Sequence, residues 1–174
     1  MEEENINVNE DVSSIDDIGI DLPDIPMPED NPQIQEIEDE FEGAYKFAII
    51  GVGQGGSRIA ETFWNLGYRR VCVINTAKQD LKYINIPEDR KLLLDHGGAG
   101  KDPDTAERIF QENSEEICDF FHSKLGSSYD RVLVCAGAGG GTGAGGGPVV
   151  FKIVKDNTSA TVGFISALPT KAEG

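Results

Sequence analysis

The sequence predicts an α/β fold: a mostly parallel sheet with helices on both faces, preceded by a disordered acidic tail. Two observations predict the sheet. Short apolar runs recur from Lys46 onward, and segments with helical apolar spacing separate them. A third sets the tail apart. Residues 1–42 carry 16 of the 31 acidic residues and no Lys or Arg, while the rest carries 15 acidic and 15 basic residues.

Residues 1–32 hold four prolines and little periodicity, a composition that does not bury enough apolar surface to order itself. Over 33–41, Ile34, Ile37 and Phe41 sit at helical spacing. That stretch reads equally as a short amphipathic helix or as a solvated charge run. "KFAIIGV" is the first strand, apolar enough to be covered on both faces. Ile59, Phe63 and Leu66 then mark a helix that stops at Gly67. "RVCVIN" and "KLLLD" read as the second and third strands. Asp102 caps a helix with Pro103 in its first turn. Its apolar face runs continuously from Ala106 through Ile109, Phe110, Ile117, Phe121 and Leu125, and Gly126 ends it. "RVLVCA" is the fourth strand, a glycine loop follows, and a helix runs through Val150, Ile153 and Val154. "TVGFISA" is the fifth strand.

Charge and composition exclude several classes. The net charge of −16 belongs to the tail, because the remainder balances. Neither part offers the basic field that nucleic acid or an anionic membrane attracts. The N-terminus lacks the basic start and apolar core of a secretory signal, and no apolar run approaches a membrane span. Cys72, Cys118 and Cys135 fit neither a disulfide framework nor a zinc site. They read as small core residues in a reducing cytoplasm.

Three glycine-rich stretches follow predicted strands: Gly51–Arg58, His96–Pro103 and Gly137–Gly147, the last with eight glycines in eleven residues. Bare amides at a helix start carry partial positive charge and form anion cradles. Three such loops on equivalent strand ends point to a polyphosphate lying against the backbone, where a Cβ would collide with it. Thr142 adds a hydroxyl. Gly51–Gly56 fits the dinucleotide pattern GxGxxG, but Asn75 stands where that pattern expects an acid, so an NAD(P) oxidoreductase is a minority reading. The Gly100-Lys101 pair is followed by Asp102, which excludes a P-loop.

"GGGTGAG", Gly139 to Gly145, resembles the tubulin/FtsZ signature GGGTG[ST]G, with Ala144 in place of the hydroxyl residue. "IIGVGQGGSR" resembles the FtsZ first loop, and its Gly-Gln-x-Gly core is nearer to tubulin. "INTAKQDL" resembles NTDAQAL, "GGAGKDP" resembles GAGANP, and "LPTKAEG" resembles KPFxFEG. The resemblance covers residues 46–174 in order and implies a Rossmann-like GTP-binding domain over 43–174. It implies that Gly53, Gln54, Gly55, Gly56, Ser57 and Arg58 meet the phosphates and the nucleoside edge. Gly98, Ala99 and Gly100 would face the γ-phosphate. Gly139, Gly140, Gly141, Thr142 and Gly143 would wrap the α- and β-phosphates, and Glu173 would hold the ribose. Arg58 replaces an Asn and Ala77 an Asp; Lys101 and Asp102 replace a neutral pair near the γ-phosphate, where His96 is a further candidate. Asn75, Thr76 and Gln79 serve either a turn or a ligand.

By this resemblance the ligand is GTP or GDP, with Mg²⁺ held through the phosphates, and no residue is assigned as catalytic. Subunits of the family stack longitudinally into filaments that serve cell division or DNA segregation. The family's central helix and catalytic loop lie beyond Gly174, so the chain is expected to be a fragment with little turnover and exposed apolar surface. The alternative is a non-hydrolysing fragment that caps filaments of a full-length partner, with the acidic tail recruiting a protein.

Overall fold

The computed structural model describes residues 45–94 and 97–170. The tail, the 33–41 segment, His96 and Glu173 lie outside these residues. Five strands form one sheet: β1 (Phe47–Val52), β2 (Val71–Asn75), β3 (Lys91–Leu93), β4 (Arg131–Gly137) and β5 (Thr161–Ala167). Their order is β3-β2-β1-β4-β5, and every neighbouring pair is parallel. Parallel strands need crossovers, and helices supply them. These are α1 (Gly53–Asn65), α2 (Lys78–Lys82), α3 (Pro103–Glu112), α4 (Ser114–Leu125) and α5 (Gly141–Asn157).

The apolar runs of β1 and β2 serve both faces, because alternate side chains point opposite ways. Ala48, Ile50, Val52, Cys72 and Ile74 join a core with Ile109, Phe110, Ile117, Phe121, Val150 and Val154, which are contributed by α3, α4 and α5. Ile49, Val71, Val73 and Cys135 join Ala60 of α1 and Leu81 of α2 on the opposite face. Fully burying a side chain such as Phe110 or Phe121 stabilises the fold by roughly 1.5–3 kcal/mol.

Several elements differ from the sequence reading. The helix expected to run unbroken from Asp102 to Gly126 is two helices, divided at Asn113. The Asn113 side chain donates to the Ile109 carbonyl at 2.7 Å, the acceptor that the helical ladder would otherwise hold alone. The expected termini stand: Asp102 accepts from the Asp104 amide, and Gly126 ends α4 at φ +69°. On α1, Ile59 and Phe63 pack partly buried against the core as expected, and Leu66 departs from that face. Leu66 caps the helix and is 70% exposed, while Gly53, Gly56, Ser57 and Ala60 are the buried positions. Small residues let that helix lie close on the strands. Helix α2 and a 3₁₀ turn at Glu88–Arg90 were not anticipated.

Candidate nucleotide-binding rim

The sheet order reverses direction between β1 and β4, the strands that lead into α1 and α5 on opposite faces. Such a reversal opens a crevice at the carboxyl ends of the strands. Here two helix starts meet in it. Helix α1 begins at Gly53 after Val52, and α5 begins at Gly141 after Gly140; neither has a side-chain cap. A Cβ on Gly53 would lie 2.8 Å from the Gly143 amide and 3.3 Å from the Thr142 Cβ. Gly53 also has φ +69°, which disfavours any side chain. Uncapped amides of two helices thus converge on one spot, with the positive ends of both dipoles.

The remaining loops reach the same rim. The Thr76 and Thr142 hydroxyls lie 2.8 Å apart, joining the segment after β2 to the start of α5. The Gly98 amide donates to the Thr76 carbonyl at 2.9 Å. The backbone of Lys101 and Asp102 lies against Gly141, where an added Cβ would sit 2.7 Å from the Asp102 nitrogen. Gly139 faces Pro169 across the end of β5. The rim therefore gathers residues of all three glycine-rich stretches.

The glycines themselves require a correction. The sequence reading explained the run at 137–147 as a loop stripped of side chains for a polyphosphate. In the structure α5 starts inside that run, at Gly141. Most of its glycines face protein. A Cβ on Gly145 would collide with the Pro103 carbonyl, and one on Gly143 with the Gly137 carbonyl. One on Gly146 would lie 2.6 Å from the Phe110 ring. In the first loop, a Cβ on Gly56 would collide with the Cys135 carbonyl. These glycines let helices approach strands and one another. At Gly140 and Gly100 an added Cβ meets nothing within 4 Å.

Other expected residues fall in distinct places. Gln54 and Gly55 are exposed on the first turn of α1, whereas Ser57 is buried on its sheet-facing side. Among the described residues, the Ser57 Oγ is a buried side-chain oxygen without a hydrogen-bond partner. Arg58 turns along the helix surface: its guanidinium donates to Glu61 at 3.1 Å and to the Tyr83 carbonyl at 3.2 Å. Ala99 is buried and Gly100 exposed. Asn75 shapes a turn. Its Oδ1 accepts from the amides of Thr76 and Ala77, and its Nδ2 donates to Asp80. Asp102 is engaged as a cap, and its hydrogen bond from Thr105 holds its carboxyl below the usual carboxylate range. Among the described residues no cluster of His, Cys, Asp or Glu could hold a metal ion. A groove of about 570 Å³ between α3 and α5, beside Glu107, Pro148 and Lys152, is lined by none of the expected site residues.

A five-stranded parallel sheet whose reversal point gathers uncapped helix starts defines a Rossmann-like α/β domain with an anion-accepting rim. The chain belongs to the tubulin/FtsZ family: residues 46–174 match the model of the Tubulin/FtsZ family GTPase domain. Among curated relatives, Cell division protein FtsZ 2 of Haloferax volcanii is 36% identical over 140 residues, covering 76% of this chain and 33% of its own. The tubulin-like protein CetZ1 of the same organism is 34% identical over 142 residues, covering 74% and 36%. The solved GDP-bound CetZ1 monomer superposes with a TM-score of 0.70 at 32% identity, over 74% of this chain and 43% of that one. CetZ2 of Haloferax volcanii, solved as a GTPγS-bound protofilament, gives 0.65 at 27% identity, over 74% and 41%. The chain spans about a third of the length of the curated relatives it matches.

Proposed function

We propose that residues 43–174 bind GTP and GDP on the rim where α1 and α5 begin, with Mg²⁺ held through the phosphates. The observation that carries this reading is the meeting of two uncapped helix starts, α1 at Gly53 and the first turn of α5 at Gly141–Gly143, which includes Thr142. Gly53, Gln54, Gly55 and Gly139–Gly143 supply amides to the α- and β-phosphates. Gly98, Ala99 and Gly100 face the γ-phosphate, and Glu173 holds the ribose. Gly56 and Ser57 shape the start of α1 from beneath. Arg58 lies on the nucleoside side, steadied by Glu61. The names of the relatives support the ligand: CetZ1 is described with GDP and CetZ2 with GTPγS.

Turnover by residues 1–174 is low in this reading. The Asp102 carboxylate, on the rim, is spent on capping α3 and is not a free base. The domain contacts further subunits of its family longitudinally in the cytoplasm, in a filament serving cell division or DNA segregation. CetZ2 is described as a protofilament. The acidic segment 1–42 recruits a protein partner. Equilibrium titration of the chain with fluorescent GTP, GDP and NADH tests the core of this proposal. Saturable binding of the guanine nucleotides alone is expected, and preferential binding of NADH overturns it. A phosphate-release assay checks the second part: release proportional to protein contradicts it.

A further inference from the structure

The rim contains a residue whose role the glycine pattern does not reveal. Thr76 is fully buried, yet each of its polar groups reaches a different part of the rim. Its amide donates to the Asn75 side chain at 2.8 Å, holding its own turn. Its carbonyl accepts from Gly98 at 2.9 Å, tying down the 97–102 loop. Its hydroxyl meets the Thr142 hydroxyl at 2.8 Å, at the start of α5. We propose that Thr76 is a positioning residue for nucleotide binding, acting through Thr142; this rests on the reading of the rim as a guanine-nucleotide site.

The chemistry follows from proton counting. Each hydroxyl carries one proton and two lone pairs. Within the pair one oxygen donates and the other accepts. When an anionic oxygen sits before the start of α5, Thr142 gives its proton to that oxygen. It then accepts from Thr76. The Thr76 hydroxyl thereby fixes the rotamer in which Thr142 points outward, before the ligand arrives. The same residue holds the 97–102 loop through its carbonyl, so both sides of the phosphate site share one buried anchor. Removing the hydroxyl leaves Thr142 free to rotate, and each binding event must then restrict it.

The test uses the full 174-residue chain and fluorescent GDP, with far-ultraviolet circular dichroism to verify folding. Thr76→Val is expected to weaken GDP binding about fivefold, the scale of immobilising one side chain on binding. Thr76→Ser, which keeps the hydroxyl, restores affinity to within about twofold of wild type. Thr76→Val combined with Thr142→Val binds no more weakly than Thr142→Val alone, because the first residue acts only through the second. Should the valine variant not fold, Thr76→Ala is measured by the same criteria. Wild-type affinity in the valine or alanine variant, or losses that add independently of Thr142, overturns the proposal. Failure of the wild type to bind GDP at all overturns the nucleotide-site reading itself, a result distinct from either.

Discussion

At Gly56 and Gly140 the same residue type answers two different demands. Gly56, in the first turn of α1, is pressed against β4, and Gly56→Ala drives a methyl into the Cys135 carbonyl. Such overpacking costs about 1–3 kcal/mol, so a lowered thermal midpoint is expected for that variant. Gly140 opens onto free space at the cap of α5. Gly140→Ala should cost less than about 1 kcal/mol of stability. By obstructing the rim it should still weaken GTP binding at least about tenfold; calorimetry and fluorescent titration separate the two effects. The cysteines give a second prediction at this scale. Burial pushes the thiols of Cys72 and Cys135 up to about 12, so neither holds an appreciable thiolate at neutral pH. In the native protein at pH 8, iodoacetamide should label Cys118 first, with Cys72 and Cys135 reacting only on denaturation. Rapid labelling of all three in the folded state would contradict this burial.

Among the elements, α3 and α5 are coupled most closely, because a ring on one enters the space left by a missing side chain on the other. Phe110 packs where Gly146 has none. Phe110→Ala should destabilise by about 3–5 kcal/mol, measured by urea unfolding. The start of α3 carries a pH dependence. Asp102 has its carboxyl lowered from the ordinary value by the Thr105 hydrogen bond and the Asp104 and Thr105 amides. A lowered folded value means its contribution is present above the unfolded value and lost as pH falls through the folded one. Wild type should therefore lose more thermal stability than Asp102→Asn between pH 5 and the acid limit, a difference read from paired melts in that window. Equal acid sensitivity of the two would show that the cap contributes no pH dependence.

Across the described domain, one edge of the sheet is β5, whose residues are exposed or half-buried along its length, with Phe164 42% exposed and Leu168, just past the strand, 78% exposed. Among the described residues no helix is long and apolar enough to cross a membrane. A nucleotide bound on the rim as proposed would tie the ends of β1, β2 and β4 together, and should stabilise the domain as a unit. At GTP concentrations one hundred times Kd the gain is about 2.7 kcal/mol. The thermal midpoint should rise with GTP concentration by that law and stay unmoved by NADH.

The five strands were readable along the chain as short apolar runs; in β1, β2 and β4 the reason is that a strand covered on both faces must be apolar at nearly every position, whereas β3 and β5 are only half-buried or exposed. The ends of α1 and α4 were readable too, since Gly67 and Gly126 take backbone angles that few other residues tolerate. The pattern alone also carried the family's loop motifs in order. It did not reveal why most of the glycines are there. Whether a missing Cβ serves a ligand or a neighbouring helix depends on what lies opposite it, and for Gly145 that is Pro103, 42 positions away along the chain. The pairing of Thr76 with Thr142 was equally hidden. Two hydroxyls 66 residues apart leave no periodic trace, and folding alone brings them within hydrogen-bonding distance.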